Sequence, residues 1–408
     1  MKLQLDALPV ELLDLIAPKL SRQDLLSTAS TCRRLFDVAE PHLYRSVAIK
    51  DARGQRSFLE SICTDSKRAA LVRSLIIKRG NDKYRARHNA KTTSEPSDIS
   101  VLAALSKLAH LSIESYYLDP DEFRHLFRCA ARGEILCELK TCRLLFWNEE
   151  DTDSSMLSNF DAILLHPTLD VLTIYNARDG CSPDVYQQKS TSALRRLELL
   201  HSDFSVQELA RLLAIPRGLK QLVVHVKPYQ GMLQCCPYDW SEYARALEVA
   251  KDSLETLVIT KDASISNRPL QLKNMKALRC IAADSDILFG QLRSTPEMVD
   301  ERFLTNLLPP SLETIHELSW AFPLSTTLDD EAWTHALYRA LTMMRRIAPA
   351  LRVELRNPYG VSEAFKHACK ASGVPIVYSY SDDDVEDSPR TGWLQKAPFL
   401  SLPVGPID

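Results

Sequence analysis

The chain has 408 residues, of which 45% are hydrophobic and 25% are charged, and its formal net charge is -3. This length predicts a small module joined to a larger body, and the charge gives no general attraction to nucleic acid or to an anionic membrane. The sequence has no run of about 18 apolar residues and no signal-peptide pattern at its N-terminus. We therefore expect a cytoplasmic or nuclear protein.

Catalytic and cofactor motifs are missing from the sequence. It contains neither GxGxxG nor GxxxxGK[ST], and no GxSxG, HExxH or kinase signature. We expect no enzyme activity, no cofactor and no metal. One group of possible zinc ligands falls close together, although without a CxxC pair: His125, Cys129, Cys137 and Cys142. Buried cysteines in a reducing compartment are the alternative that we favour.

The segment LPVELLDLI, residues 8–16, predicts a first short helix. Pro9 suits the first turn, where its missing N–H is not needed, and Pro18 predicts the end of the helix. Four apolar side chains at helical spacing form its predicted stripe: Leu12, Leu13, Ile16 and Leu20.

Two further helices are predicted before residue 50. Ser21 with Asp24 resembles a capping box at the start of the second helix. Its predicted apolar face consists of Leu25, Leu26, Ala29 and Cys32. Leu35, Phe36 and Ala39 predict a third short helix that ends at Pro41.

The motif LPVELLDLIAPKLSRQDLLSTASTCRRLFDVAEPHLYRSV, from Leu8, resembles the F-box in the form common in fungal proteins. Two positions depart from the family: Pro18 stands where its helix usually continues, and Leu35 where Trp or Phe is frequent. The resemblance implies docking onto a Skp-type adaptor and, through it, onto the cullin of a Skp–cullin–F-box ubiquitin ligase. The adaptor-binding residues that it implies are Leu8, Pro9, Leu12, Leu13, Ile16, Leu20, Leu25, Leu26, Cys32, Leu35 and Leu43.

Two other interpretations of this segment remain open. The three helices could be an N-terminal cap whose apolar stripe packs onto the body. They could also be a helix-turn-helix DNA-binding domain, which would need a basic face on its recognition helix. We favour adaptor docking, because three helices within about 40 residues bury little surface alone.

Beyond residue 70, one apolar pattern recurs, with apolar residues at positions one and four of each core and at position six of all but the last. The cores are VRSLII (from Val72), LAHLSI (Leu108), LDVLTI (Leu169), LRRLEL (Leu194), LKQLVV (Leu219), LETLVI (Leu254), LRCIAA (Leu278) and LETIHE (Leu312). A degenerate copy is LCELKT, from Leu136. The steps from 169 to 194 and from 194 to 219 are 25 residues each, inside the range of leucine-rich repeats.

Helical segments separate these cores, for example residues 205–215 and 240–250. Each unit therefore predicts a strand, a loop and a helix, and neighbouring units must stack to bury their apolar faces. The body resembles leucine-rich repeat proteins, so the expected fold class is α/β: a three-helix F-box followed by an α/β solenoid. The family's Asn or Cys, eight residues after the first Leu, is replaced by Tyr116, Ala177, Ser202, Lys227 and Asp262.

Side chains between the apolar positions are expected on the opposite face of the strands. This mixture of charged, amide and aromatic groups suits recognition of a protein, and a solvated face without a ligand is the alternative. The predicted target-binding residues are His110, Glu114, Tyr175, Arg196, Glu198, Gln221, His225, Thr256, Thr260 and His316.

The expected domains are an F-box (1–50), a repeat body (51–320), a C-terminal cap (321–380) and an acidic tail (381–408). The cap would contain a long helix at 329–348, the strands LRVELR and VPIVYSY, and the helix SEAFKHACKAS. The basic stretch 78–91 could bind an acidic partner or act as a nuclear signal, although a solvated insertion is favoured.

Together these patterns predict a substrate-recognition subunit of a ubiquitin ligase, whose F-box holds the adaptor and whose repeats hold a target protein. A repeat scaffold with no role in ubiquitin transfer is the alternative.

Overall fold

The structure is a computed structural model. It describes residues 8–79, 98–115, 120–146, 157–177, 192–202, 204–226, 240–261, 269–283, 305–317, 352–356 and 376–379, with isolated positions between them. The chain divides into two compact units, Met1–Leu43 with Tyr378–Asp408, and Tyr44–Val377.

Three helices lie in the N-terminal part of the first unit, and the last two residues of the third helix belong to the second unit. They are α1 (Val10–Ile16), α2 (Arg22–Ala29) and α3 (Arg33–Arg45). Pro18 ends α1 as predicted, because the chain continues from Ile16 into a single 3-10 turn, Ala17–Lys19. The prediction for Pro41 was wrong. It lies inside α3, which continues for four more residues despite the missing donor to the Asp37 carbonyl.

One twelve-stranded sheet has the sequential order β1 to β12, and β1 to β11 lie wholly in the second unit. The strands are β1 (Ser46–Ile49), β2 (Ser74–Arg79), β3 (His110–Ser115), β4 (Thr141–Phe146), β5 (Val171–Tyr175), β6 (Arg196–Ser202), β7 (Gln221–Val226), β8 (Thr256–Lys261), β9 (Cys280–Ala283), β10 (Thr314–Glu317), β11 (Arg352–Arg356) and β12 (Ile376–Ser379). Strands β1 to β11 pair in parallel. The expected α/β class is therefore confirmed.

Helices occupy several of the connections between these parallel strands, as parallel pairing requires. The described α-helices of the body are α4 (Ala52–Thr64), α5 (Ser66–Leu71), α6 (Asp98–Ala104), α7 (Pro120–Ala131), α8 (Val206–Leu213) and α9 (Trp240–Leu247). Helices α8 and α9 lie in the two segments predicted to be helical. No described helix is long and apolar enough to cross a membrane.

The repeats stack in one register. The first residue of each strand pairs with the first residue of the next, from Ser46 with Ser74 to Thr314 with Arg352. A backbone ladder runs beside them, since the residue before each of the strands β2 to β10 donates its N–H to the corresponding carbonyl of the previous repeat. Its links include Arg73 to Arg45, Lys140 to Ala109, and Glu313 to Arg279.

This register corrects the repeat pattern at two places. In all eight clear cores the strand begins two residues after the first apolar residue. By that rule β4 belongs to a core that starts at Leu139, not at Leu136 as predicted, since β4 begins at Thr141. The same rule gives a further core at Tyr44, because β1 begins at Ser46. Sequence reasoning assigned that core to the end of the F-box.

One apolar core joins the helices to the sheet. The second and fourth residues of the strands, such as Leu197 and Leu199 of β6, belong to the same buried cluster as Leu209 and Leu212 of α8 and Trp240 of α9. Each such leucine contributes roughly 1.5–3 kcal/mol when fully buried. The helices therefore cover one face of the sheet, and the first, third and fifth residues of the strands form the other, which we call the outer face.

Ser202 is buried at one of the positions where the leucine-rich repeat pattern would predict Asn or Cys. The hydroxyl of Ser202 accepts a hydrogen bond from the Ala177 N–H (3.3 Å) and donates one to the Leu200 carbonyl (3.0 Å). It thus bonds to the backbone of the preceding repeat, in a position where the β6–β7 register shifts.

The C-terminal predictions are described only in part. Strands β11 and β12 confirm the two predicted strands LRVELR and VPIVYSY. The predicted helices at 329–348 and in SEAFKHACKAS, the acidic tail and the basic stretch beyond Arg79 lie outside the described residues, apart from isolated positions.

Candidate protein-interaction surfaces

The N-terminal helices have a small core of their own. Its buried members are Leu13, Ala17, Leu25, Leu35, Val38 and Ala39. The Arg34 side chain also connects the start of α3 to the residues just before α1, because Nη2 donates to the Leu8 carbonyl at 2.7 Å. These contacts hold the three helices together.

Ser21 caps α2 as the sequence predicts. Its Oγ accepts the Asp24 N–H at 3.2 Å, and its hydroxyl donates to Asp24 Oδ2 at 2.6 Å. The carboxylate therefore bonds the Ser21 hydroxyl, whereas a full capping box would bring it back to the Ser21 backbone N–H. A cap of this kind stabilises a helix by about 1 kcal/mol.

Apolar side chains are concentrated on the surface of α1 and α2. Leu15 is 66% exposed, Leu26 54%, Leu12 46% and Val10 43%. These are four of the five large hydrophobic residues that are exposed in the described part of the chain. We call these four residues the α1–α2 apolar patch. Exposed apolar groups concentrated in one short segment mark interaction sites more often than singly scattered ones do.

The eleven residues expected to contact an adaptor fall into two groups. Leu13, Leu25 and Leu35 are buried in the helices' own core, so they hold the helices together and present no surface to a partner. The other eight are exposed or half-buried: Leu8, Pro9, Leu12, Ile16, Leu20, Leu26, Cys32 and Leu43. The pattern missed Val10 and Leu15, because spacing alone gave no reason to prefer them.

The predicted target-binding residues lie on the outer face, but part of that face is buried. Arg196, His225 and Thr260 are almost fully buried, as are their apolar neighbours Val223 and Val258. The outer face of β7 and β8 is therefore not an open surface, and these three side chains are corrected from surface to buried residues. Five others are half-buried: His110, Glu114, Glu198, Gln221 and Thr256. Tyr175 is also half-buried, and the side chain of His316 lies outside the described residues.

Buried polar groups on this face bond one another. Arg196 Nε donates to Glu198 Oε1 (2.7 Å), while Thr173 Oγ1 donates to Glu198 Oε2 (2.7 Å). Both carboxylate oxygens are thus occupied within the sheet. One buried hydrogen bond also joins His225 Nδ1 to Thr260 Oγ1 at 2.7 Å. The polar side chains of these residues therefore form hydrogen bonds within the sheet, which is a structural role.

Three aromatic rings pack against one another along the same face, each tilted to the next by about half a right angle. The Tyr175 and His201 ring centroids are 4.8 Å apart, and those of His201 and His225 are 4.2 Å apart. His201 lies in the register shift of β6 with a left-handed φ of 49°. The additional residue there brings its ring between its neighbours.

The outer face of β1 to β4 is more open. It has half-buried or exposed side chains at nearly every described position, among them Ser74, Ser112 and Arg143. Lys78 Nζ and Glu114 Oε2 form an ion pair of 2.9 Å across β2 and β3. Sequence reasoning missed Lys78 and Arg143, although Arg143 lies between two apolar residues of its strand and Lys78 directly follows one.

The candidate zinc ligands have separate surroundings. Cys142 is fully buried on the helix-covered face of β4, and burial strongly raises the pKa of its thiol. The Cys137 thiol donates to the Gly133 carbonyl at 3.1 Å. His125 and Cys129 are neighbours on α7, with Nε2 and Sγ 3.7 Å apart. In the described ranges, no three such side chains come together as a metal site.

Comparison with protein families finds one match. The model of the F-box-like family matches residues 5–50, which include α1, α2, α3 and β1. The N-terminal segment is therefore an F-box-like domain, which supports the resemblance given by its motif. No curated protein matches the chain.

Proposed function

We propose that this protein is the substrate-recognition subunit of a Skp–cullin–F-box ubiquitin ligase. The F-box-like domain docks a Skp-type adaptor, which connects the chain to a cullin. The parallel repeats, which we assign to a divergent leucine-rich repeat array, hold a target protein. The ligase partners carry out the chemistry, and this chain contributes proximity and orientation.

The α1–α2 apolar patch is the observation that carries this proposal. Its four side chains lie outside a core that the helices complete by themselves, so they are not needed to fold the segment. Exposed apolar side chains are unfavourable in free energy while they face water, and a partner that covers them removes this cost. Covering it contributes at most about 1.5–3 kcal/mol per side chain, and less here because each is already partly buried.

Co-purification with a recombinant Skp-type adaptor tests the proposal. The full chain is expected to form a stable complex, and the variant with Leu12→Asp and Leu15→Asp is expected to lose it. Both positions are exposed, so the variant should stay folded, which circular dichroism checks. No binding of the wild-type chain at micromolar concentration would overturn the docking proposal.

The repeat scaffold without a ubiquitin role predicts a different outcome. In that case, removing residues 1–50 would leave both partner recognition and partner lifetime unchanged. In the ligase proposal, the same deletion lengthens the partner's lifetime, because the target is no longer connected to the cullin.

A further inference from the structure

Among the described residues, the outer face of β1 to β4 carries a positive charge that no acid pairs with. Arg143, the third residue of β4, is half-buried, and within the described residues its guanidinium has no hydrogen bond or ion pair. Desolvating an unpaired cation is unfavourable, so a half-buried guanidinium without a counter-ion is suited to an anionic ligand.

The charged groups around Arg143 are already engaged. Lys78 pairs with Glu114 in the strands before it, and Glu198 bonds Arg196 and Thr173 in the strands after it. The neighbouring acids therefore leave Arg143 unneutralised. Lys50, which is exposed directly after β1, is a further cation near the end of the first strand.

Hydroxyl groups complete this surface. Ser112 is in register with Arg143 on the adjacent strand, and Ser74 lies one strand further, beside His110. Both serines are half-buried on the outer face. Guanidinium and hydroxyl donors side by side match the acceptor oxygens of a carboxylate.

We infer that this part of the outer face binds an acidic peptide segment of the target protein. The inference rests on the proposed function and names its target class: Asp- or Glu-rich chain in an extended conformation. Four strands at about 4.8 Å spacing span roughly 14 Å, which about four or five extended residues can cross. Arg143 is the principal contact, at the β4 end of this surface, because no acid among the described residues pairs with it.

Fluorescence anisotropy with the full chain tests this inference. The probes are a labelled hexapeptide of alternating Glu and Gly, the same peptide with phosphoserine in place of Glu, and one with Lys in place of Glu. The Glu peptide is expected to bind and the Lys peptide to fail. Raising the salt from about 0.1 M to about 1 M, where the Debye length falls from about 10 Å to about 3 Å, should weaken binding.

Two variants localise the contact. Arg143→Gln is expected to weaken binding of the Glu peptide about tenfold, as the loss of one charge-assisted contact implies. Lys140→Gln is the matched control, because it removes a cation from the same repeat at an exposed position before the strand. It is expected to change binding less than twofold.

Three results would overturn the inference: binding of the phosphoserine peptide alone, equal binding of all three peptides, or equal effects of the two variants. The adaptor assay separates this inference from the proposed function. If the Glu peptide does not bind but the adaptor does, the acidic-peptide inference is wrong and the proposed ligase role is unaffected. If the adaptor does not bind but the Glu peptide does, the proposed ligase role is wrong and the acidic-peptide inference is supported.

Discussion

Leu12 and Leu13 are neighbours in the sequence, yet Leu12 is 46% exposed and Leu13 is 3% exposed. One residue along a helix turns the side chain by about 100°, so α1 directs one leucine to solvent and the other into the core with Leu25 and Leu35. The single apolar stripe that the sequence predicted therefore divides into two faces of α1: Leu13 packs in the core, and Leu12 is exposed to solvent.

Substitutions at these two leucines should separate binding from folding. Leu12→Ala should weaken adaptor binding at least tenfold and change the free energy of unfolding by less than about 0.5 kcal/mol, as exposed substitutions do. Leu13→Ala should destabilise the F-box-like domain by about 2–5 kcal/mol, because it leaves a cavity. Calorimetric titration and urea unfolding measure the two effects, and equal destabilisation by both would contradict the placement.

The ion pair of Arg196 and Glu198 should be essential for stability. Glu198→Ala removes the carboxylate that pairs with the almost fully buried Arg196 guanidinium, and we expect a loss of about 2–4 kcal/mol in the free energy of unfolding. Glu255→Ala is the control, since it breaks an exposed pair with Lys220 and should cost less than about 1 kcal/mol. Urea unfolding followed by circular dichroism compares them, and similar losses would count against the buried network.

His166 should make the body sensitive to mild acid. Its ring is fully buried, with Nε2 3.1 Å from the Leu136 carbonyl of the preceding repeat, and Nδ1 accepts the Thr168 N–H. Burial lowers the pKa of His166 from 6.5 to about 4. The unfolded chain therefore takes up a proton first, and stability falls as the pH drops from 6.5 towards 4.

Urea unfolding at about pH 7 and about pH 5 measures this effect, which should be about 2 kcal/mol for the wild-type protein. His166→Gln should be less stable at neutral pH, but its stability should depend less on pH over this interval. An unchanged pH dependence in the variant would assign the acid sensitivity to other groups.

Pro41 should limit the stability of α3. Pro41→Ala restores a donor for the Asp37 carbonyl, and we expect the free energy of unfolding to rise by about 1–3 kcal/mol. Pro18→Ala is the matched control, because Pro18 lies at the start of a 3-10 turn, where no donor is required, so little change is expected. Thermal unfolding compares the two, and a destabilised Pro41→Ala variant would mean that the proline ring contributes packing.

Much of the fold could be predicted from the sequence because its signals are local. The spacing of the apolar cores predicted eight strands, and Ser21 and Pro18 predicted where helices begin and end. The core at Leu139 was misplaced by three residues, because Leu136 offered an equally apolar start and only pairing with β3 and β5 fixes the register. Pro41 was misread because a local penalty can be outweighed by the packing of Leu35, Val38 and Ala39 in the same helix.

The sequence by itself determined that an F-box-like segment precedes a parallel α/β repeat, because the order of the motifs and the spacing of the apolar residues can be read directly along the chain. Only the tertiary structure decided which side chains are available to a partner. It buries Leu13 while it exposes Leu15, and it buries His225 while Arg143 has no counter-ion among the described residues. The physical reason is that exposure depends on which neighbours cover a side chain, and those neighbours come from other helices and strands.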